Sequence, residues 1–156
     1  MRAPLLTPAR RVRGWTIVEL MLVIGLLGTL VAVALPLYDN HRDKVRCAQA
    51  IQDISTMSAA IEHYWQDHRA YPDSLADAGF GGRQDPWGRA YVYYNIDENG
   101  RGGARKDRAL NPINTDFDLY SVGADGKTKM QVSNRDSEDD IIRASNGRFI
   151  DVASKF

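Results

Sequence analysis

Glu19 is a single carboxylate within an apolar run that extends from Trp15 to Leu37. An acid at the middle of a membrane span costs about 2.5–3.5 kcal/mol, so a carboxylate in that setting has a use, and a cation is its natural partner. Arg10, Arg11 and Arg13 stand just upstream, a basic cluster of the kind that stays on the cytoplasmic side of a membrane. A second group of acids lies far along the chain, at Asp125 and then at Asp136, Glu138, Asp139 and Asp140, with Ser137 among them. Converging carboxylates repel unless they are protonated or bridged by a cation. Calcium suits such a loop, because it takes about 6–8 oxygens, backbone carbonyls included, from flexible chain. A solvated surface loop is the plainer alternative, and Lys127, Lys129 and Arg135 bring positive charge of their own.

Catalytic chemistry finds little to work with. His41, His63 and His68 all fall in a helical pattern, and His63 and His68 are five apart, so they do not share a face as ligands four apart would. Neither a Gly-x-Ser-x-Gly elbow nor a phosphate loop nor a paired-cysteine motif is present. The single cysteine, Cys47, excludes an intramolecular disulfide and reads as a small apolar residue of a helix face. Trp65, Trp87 and the seven tyrosines read as core and loop anchors rather than as a carbohydrate platform.

The elements that must position these groups follow from periodicity. Trp15 to Leu37 is 23 residues, enough for one membrane span, with Gly25 and Gly28 as places where another helix approaches closely. A secretory signal peptide is the rival, with Val33-Ala34-Leu35 as a weak cleavage site; its apolar core is only about 7–15 residues. Pro36 falls inside a continuing pattern and should kink the helix rather than end it. Beyond it, Cys47, Ile51, Ile54, Ser58, Ile61 and Trp65 step 4, 3, 4, 3, 4, one stripe of an amphipathic helix, with Arg46, Gln49, Gln52, Asp53 and Glu62 mostly elsewhere.

Tyr71-Pro72 ends this pattern, and Pro72 to Leu75 reads as a turn into a short helical segment. Asp85-Pro86-Trp87-Gly88 has turn chemistry throughout. Residues 90–95 and 117–122 read as strands, and residues 97–112 as a polar loop. Ile141–Ala144 and Arg148–Val152 flank Ser145-Asn146-Gly147, a hairpin signal. The expected class is α+β: a long N-terminal helix, first membrane-spanning and then amphipathic, packed on a small antiparallel sheet.

Gly14-Trp15-Thr16-Ile17-Val18-Glu19-Leu20, with its basic leader, resembles the processing site of type IV pilins and type II secretion pseudopilins. Tyr71-Pro72, Asp85-Pro86-Trp87-Gly88 and Phe117-Asp118-Leu119-Tyr120-Ser121-Val122-Gly123-Ala124-Asp125-Gly126 are similar to the head of the major pseudopilin of type II secretion. The resemblance implies a leader over 1–14, a polymerisation helix over 15–37, its amphipathic half over 38–70 and a periplasmic head over 71–156. It implies that a prepilin peptidase cuts after Gly14 and that the new amine at Trp15, where the family usually has phenylalanine, is methylated.

The same resemblance implies that Glu19 is kept to pair with a neighbour's terminal amine, with Pro36 also serving assembly. The chain would be a non-enzymatic, single-pass inner-membrane subunit of a helical homo-oligomeric filament. Its partners would be minor pseudopilins and an inner-membrane assembly platform. Calcium would be held by Asp125, Asp139 and Asp140 with the Val122 carbonyl. Loss of Arg2, Arg10, Arg11 and Arg13 from a chain with 20 bases and 20 acids leaves four more acids than bases, which argues against nucleic acid as a partner. Two other readings stay open: a type IV pilus subunit for adhesion, motility or DNA uptake, and a membrane-anchored periplasmic enzyme or sensor.

Overall fold

The computed structural model describes residues 14–156, apart from the side chains of Pro36 and Leu37. The leader before Gly14, its arginines and the Pro36 ring lie outside the described residues. The chain divides into two compact units, one up to Asn40 and one from His41 to Phe156.

Helix α1 (Ile17–His68) runs through position 36 without a break. Its first part is apolar on every side and long enough to cross a membrane, and no part of that stretch is buried by the rest of the chain. Ile17 is 77 % exposed and Leu27 55 %. A helix that is hydrophobic all round belongs in lipid or inside an assembly. The other end stops three residues before Tyr71, where Arg69 takes a left-handed conformation (φ 56°) and its amide closes on the Trp65 carbonyl at 2.8 Å. Tyr71-Pro72 therefore follows the helix end and does not set it.

In the second unit, strands β1 (Val92–Asn95), β2 (Phe117–Ser121), β3 (Ile141–Ala144) and β4 (Phe149–Val152) form one antiparallel meander in sequence order. Leu119 faces Tyr93, Ser121 faces Ile141, and Arg143 faces Ile150 across the ladders. Side chains alternate across the sheet with the two-residue period of a strand. Phe117, Leu119 and Ile141 pack on Ala50, Ile54, Met57 and Ile61 of α1. The opposite face buries Ile142 and Ala144 with Ile113, Val132 and Ala153. Both faces being covered explains why every residue of β3 is buried.

Several expectations shift in detail. The buried helix face is wider than the expected stripe and rotated from it: Ala50 and Met57 are fully buried, while Trp65 is 37 % exposed. Asp53, which the pattern leaves off the stripe, is buried and bonded to Arg83 at 2.6 Å and to the Tyr91 hydroxyl at 3.0 Å. No helix forms after Pro72; residues 73–79 are turns. The loop expected from residue 97 instead begins with a one-turn helix, α2 (Ile96–Asn99), whose Glu98 amide is capped by the Asn95 side chain at 3.2 Å. The Ser145-Asn146-Gly147 turn does join β3 to β4, and Asn146 also bonds Thr115 through both ends of its amide, at 2.9 Å each.

Candidate functional site

The start of α1 is built by a reciprocal pair. Thr16 precedes the first helical residue and its hydroxyl accepts the Glu19 amide at 3.2 Å, while the Glu19 carboxylate accepts the Thr16 amide and hydroxyl at 3.4 Å. This is a capping box: two backbone donors that the helix cannot satisfy are satisfied by two side chains three residues apart. It also places the carboxylate at the positive end of the helix dipole. Trp15 is 71 % exposed beside it. Gly14, Trp15, Thr16 and Glu19 line one open pocket. A group that reaches Glu19 from another molecule therefore meets a carboxylate already oriented by its own helix, with one oxygen committed locally.

In the second unit, the loop that follows β2 carries the other expected residues. Gly123 (φ 66°) is forced by close approach as well as by conformation: a Cβ there would lie 2.4 Å from the Asp139 carbonyl oxygen and 2.6 Å from its carboxylate. Room made by the missing side chain lets Asp139 accept the Asp125 amide at 2.9 Å. Asp125 in turn accepts the Lys127 amide at 2.7 Å, a turn-closing bond. Asp125 and Asp139 are thus brought together, with Val122 half-buried nearby in sequence.

Asp140 is not with them. It is fully buried and bonded to Arg105 at 2.7 Å and to the Thr128 hydroxyl at 2.6 Å. Burial pushes its pKa up, against the pull of Thr128 and Arg105. Arg105 also stacks over the Tyr120 ring at 4.3 Å and donates its backbone amide to Asp118. Arg89 occupies two further oxygens of the loop, the Gly123 and Ala124 carbonyls, at 2.5 and 3.2 Å. Among the described residues no three His, Cys, Asp or Glu side chains gather closely enough to hold a metal. As they stand, the expected donors do not fit a calcium cage. Lys127, Lys129 and Arg135, the cations the sequence offered for this loop, make no ion pair among the described residues; Arg105 and Arg89 supply the charge instead.

Sequence reasoning missed both buried arginines. Arg105 sits in a run, Arg105-Lys106-Asp107-Arg108, that reads as solvated loop. Arg143 lies on the helix-facing register of β3, where it clasps Asp116 with two bonds of 2.9 and 2.6 Å, donates to Ser58 at 2.9 Å and covers the Phe117 ring at 3.8 Å. A lone charge at an inward strand position, two residues from Ile141, was the available signal. The turn at Asp85 has the expected chemistry and a further use: its carboxylate accepts the Trp87 and Arg89 amides and the Ser121 hydroxyl, which ties the turn to the end of β2.

Comparison with known proteins bears on the whole of this arrangement. The type II secretion system core protein G of Pseudomonas aeruginosa is 30 % identical over 139 residues, covering 76 % of this chain and 87 % of that protein. The protein of the same name from Escherichia coli is 29 % identical, over 74 % of this chain and 83 % of its own length. A fimbrial protein of Neisseria meningitidis is 28 % identical, over 90 % of this chain and 89 % of its own. No family model and no solved structure matches. The chain belongs to the core protein G family of pseudopilins, and it is similar to type IV pilins as well.

Proposed function

We propose that this chain is the subunit of a type II secretion pseudopilus, stored in the inner membrane as a single-pass protein with its head in the periplasm. It is cut after Gly14 by a prepilin peptidase, methylated at Trp15, and drawn with minor pseudopilins through an assembly platform into a helical filament that supports protein export. The observation that carries this reading is the Thr16–Glu19 capping box at the head of a helix whose first, membrane-length stretch is not buried within its own chain. An amine at position 15 of a neighbouring copy would meet a preset carboxylate, and every apolar side chain behind it would be covered by other copies. Polymerisation of that kind is mechanical work and needs no catalytic group.

Glu19→Ala in the native host tests the reading. The variant should still be inserted and shortened to begin at Trp15, as read by intact mass, yet be absent from filaments purified after the outer membrane is opened. Variant filaments at wild-type abundance would refute the pairing role. Likeness to the Neisseria pilins supports a second reading, a surface pilus subunit. A protease-protection assay with externally added enzyme separates the two, since a periplasmic filament is shielded by the outer membrane.

A further inference from the structure

We propose that the guanidinium of Arg105 serves the C-terminal loop as a built-in cation, so that the loop keeps its fold without bound calcium. The pair it forms with Asp140 is closed to solvent, Arg105 at 4 % and Asp140 at 0 % side-chain exposure. Three separate segments meet there. Arg105 precedes a bridge in which Lys106 exchanges backbone bonds with Met130 and Val132; Thr128 bonds both members of the pair; Asp140 donates its amide to the carbonyl of Ser137, the last residue of the 3₁₀ turn Arg135–Ser137. The carbonyl of Asp140 then accepts the Ala153 amide at 2.8 Å, which brings the C-terminal segment to the same point.

Two buried atoms of this pair have no partner, Arg105 Nε and Asp140 Oδ1. One is a donor and the other an acceptor, and they belong to the two side chains already joined through Nη2 and Oδ2. Guanidinium and carboxylate match as parallel forks, and Nε and Oδ1 are the second prong of each. The ion pair already formed neutralises the carboxylate whose charge a metal would otherwise have to meet. The single chain with no disulfide to close this region is then held by an ion pair that is formed on folding and carried wherever the protein goes.

The test uses the full chain in detergent micelles, followed by near-ultraviolet circular dichroism on heating. Wild type should melt at the same temperature in excess calcium and in excess chelator, and in low and high salt, because a buried pair is little screened. Arg105→Met and Asp140→Leu should each lower the melting temperature by roughly 10–20 °C, since each leaves the other group charged and unpaired inside the protein. The double variant should recover most of that loss. A wild-type melting temperature that rises by several degrees with calcium would overturn the proposal in favour of a metal held by Val122, Asp125 and Asp139. A fall with salt would overturn it in favour of a surface clamp by Lys127, Lys129 and Arg135. Losses that simply add in the double variant would overturn it too. Where a single variant does not fold at all, the calcium and salt responses of wild type and the double variant decide.

Discussion

The two units of this chain use apolar residues in opposite ways. Before Asn40, Ile17, Leu27 and Leu30 are more than half exposed. After His41, Ile54, Met57, Phe117, Leu119 and Ile141 are fully enclosed within the core of the second unit. The same helix serves both. Surface that a subunit cannot bury alone is a standing demand for lipid or for other subunits, whereas the head meets its own needs. Assembly and stability are therefore separable here, and a substitution should affect one without the other.

Equivalent truncations in the two units give the sharpest way to break that separation. Phe117→Ala removes a ring packed against Tyr71 at 5.4 Å and Tyr93 at 5.8 Å and lying beneath Arg143. It should cost the head about 3–5 kcal/mol, read as loss of the cooperative melt or a large fall in its midpoint. Leu27→Ala truncates an apolar side chain that is 55 % exposed and lies outside the head's core, and should leave the head's melt where it was while reducing the yield of filaments. Equal thermal losses from both would show that the two units are not independent.

Gly123→Ala should have a smaller effect, confined to the loop. A left-handed conformation costs a side-chain-bearing residue about 1–2 kcal/mol, and here the added methyl also meets Asp139. The expected outcome is a lower midpoint with the sheet intact, and faster hydrogen exchange at the Asp125 amide, which has lost its Asp139 acceptor. Slow exchange at that amide in the variant would mean the loop is held from elsewhere.

Much of this fold was legible because it rests on local signals. An apolar run, β-branched and aromatic runs, and a Ser-Asn-Gly turn each report on their own neighbourhood. The buried polar network was not legible for the opposite reason. Arg105 and Asp140 are 35 residues apart and Arg143 and Ser58 are 85 apart, so nothing in either neighbourhood announces the partner. The resemblance implies Asp139 and Asp140 alike as ligands; in the structure these adjacent residues point into different surroundings, one half-buried in the loop and one fully buried against Arg105. Asp53 read as surface for the same reason, since its partners Arg83 and Tyr91 come from beyond the helix.

The smallest expected effect distinguishes two carboxylates within the head's sheet. Asp118 in β2 is buried, and burial pushes its pKa up despite the bonds it accepts from the Arg105 amide and the Asn114 side chain. Burial pushes Asp151 in β4 up, but Lys155, bonded at 2.7 Å, and the Val152 amide together outweigh it and hold the carboxyl below its usual value. Unfolded aspartate titrates near 3.9. Asp118 therefore binds its proton more tightly in the native state, so the stability it contributes is complete below about pH 3.9 and is lost as pH rises through its native value. Asp151 runs the other way: its contribution is present above about pH 3.9 and is lost as pH falls through its depressed value. Carboxyl carbon shifts followed by NMR should place the Asp118 midpoint above that of an unfolded aspartate and the Asp151 midpoint below it. A shared midpoint near 3.9 would mean that β2 admits water to Asp118. The head would then be less sealed than its packing implies, and its difference from the exposed apolar unit before Asn40 would be one of degree.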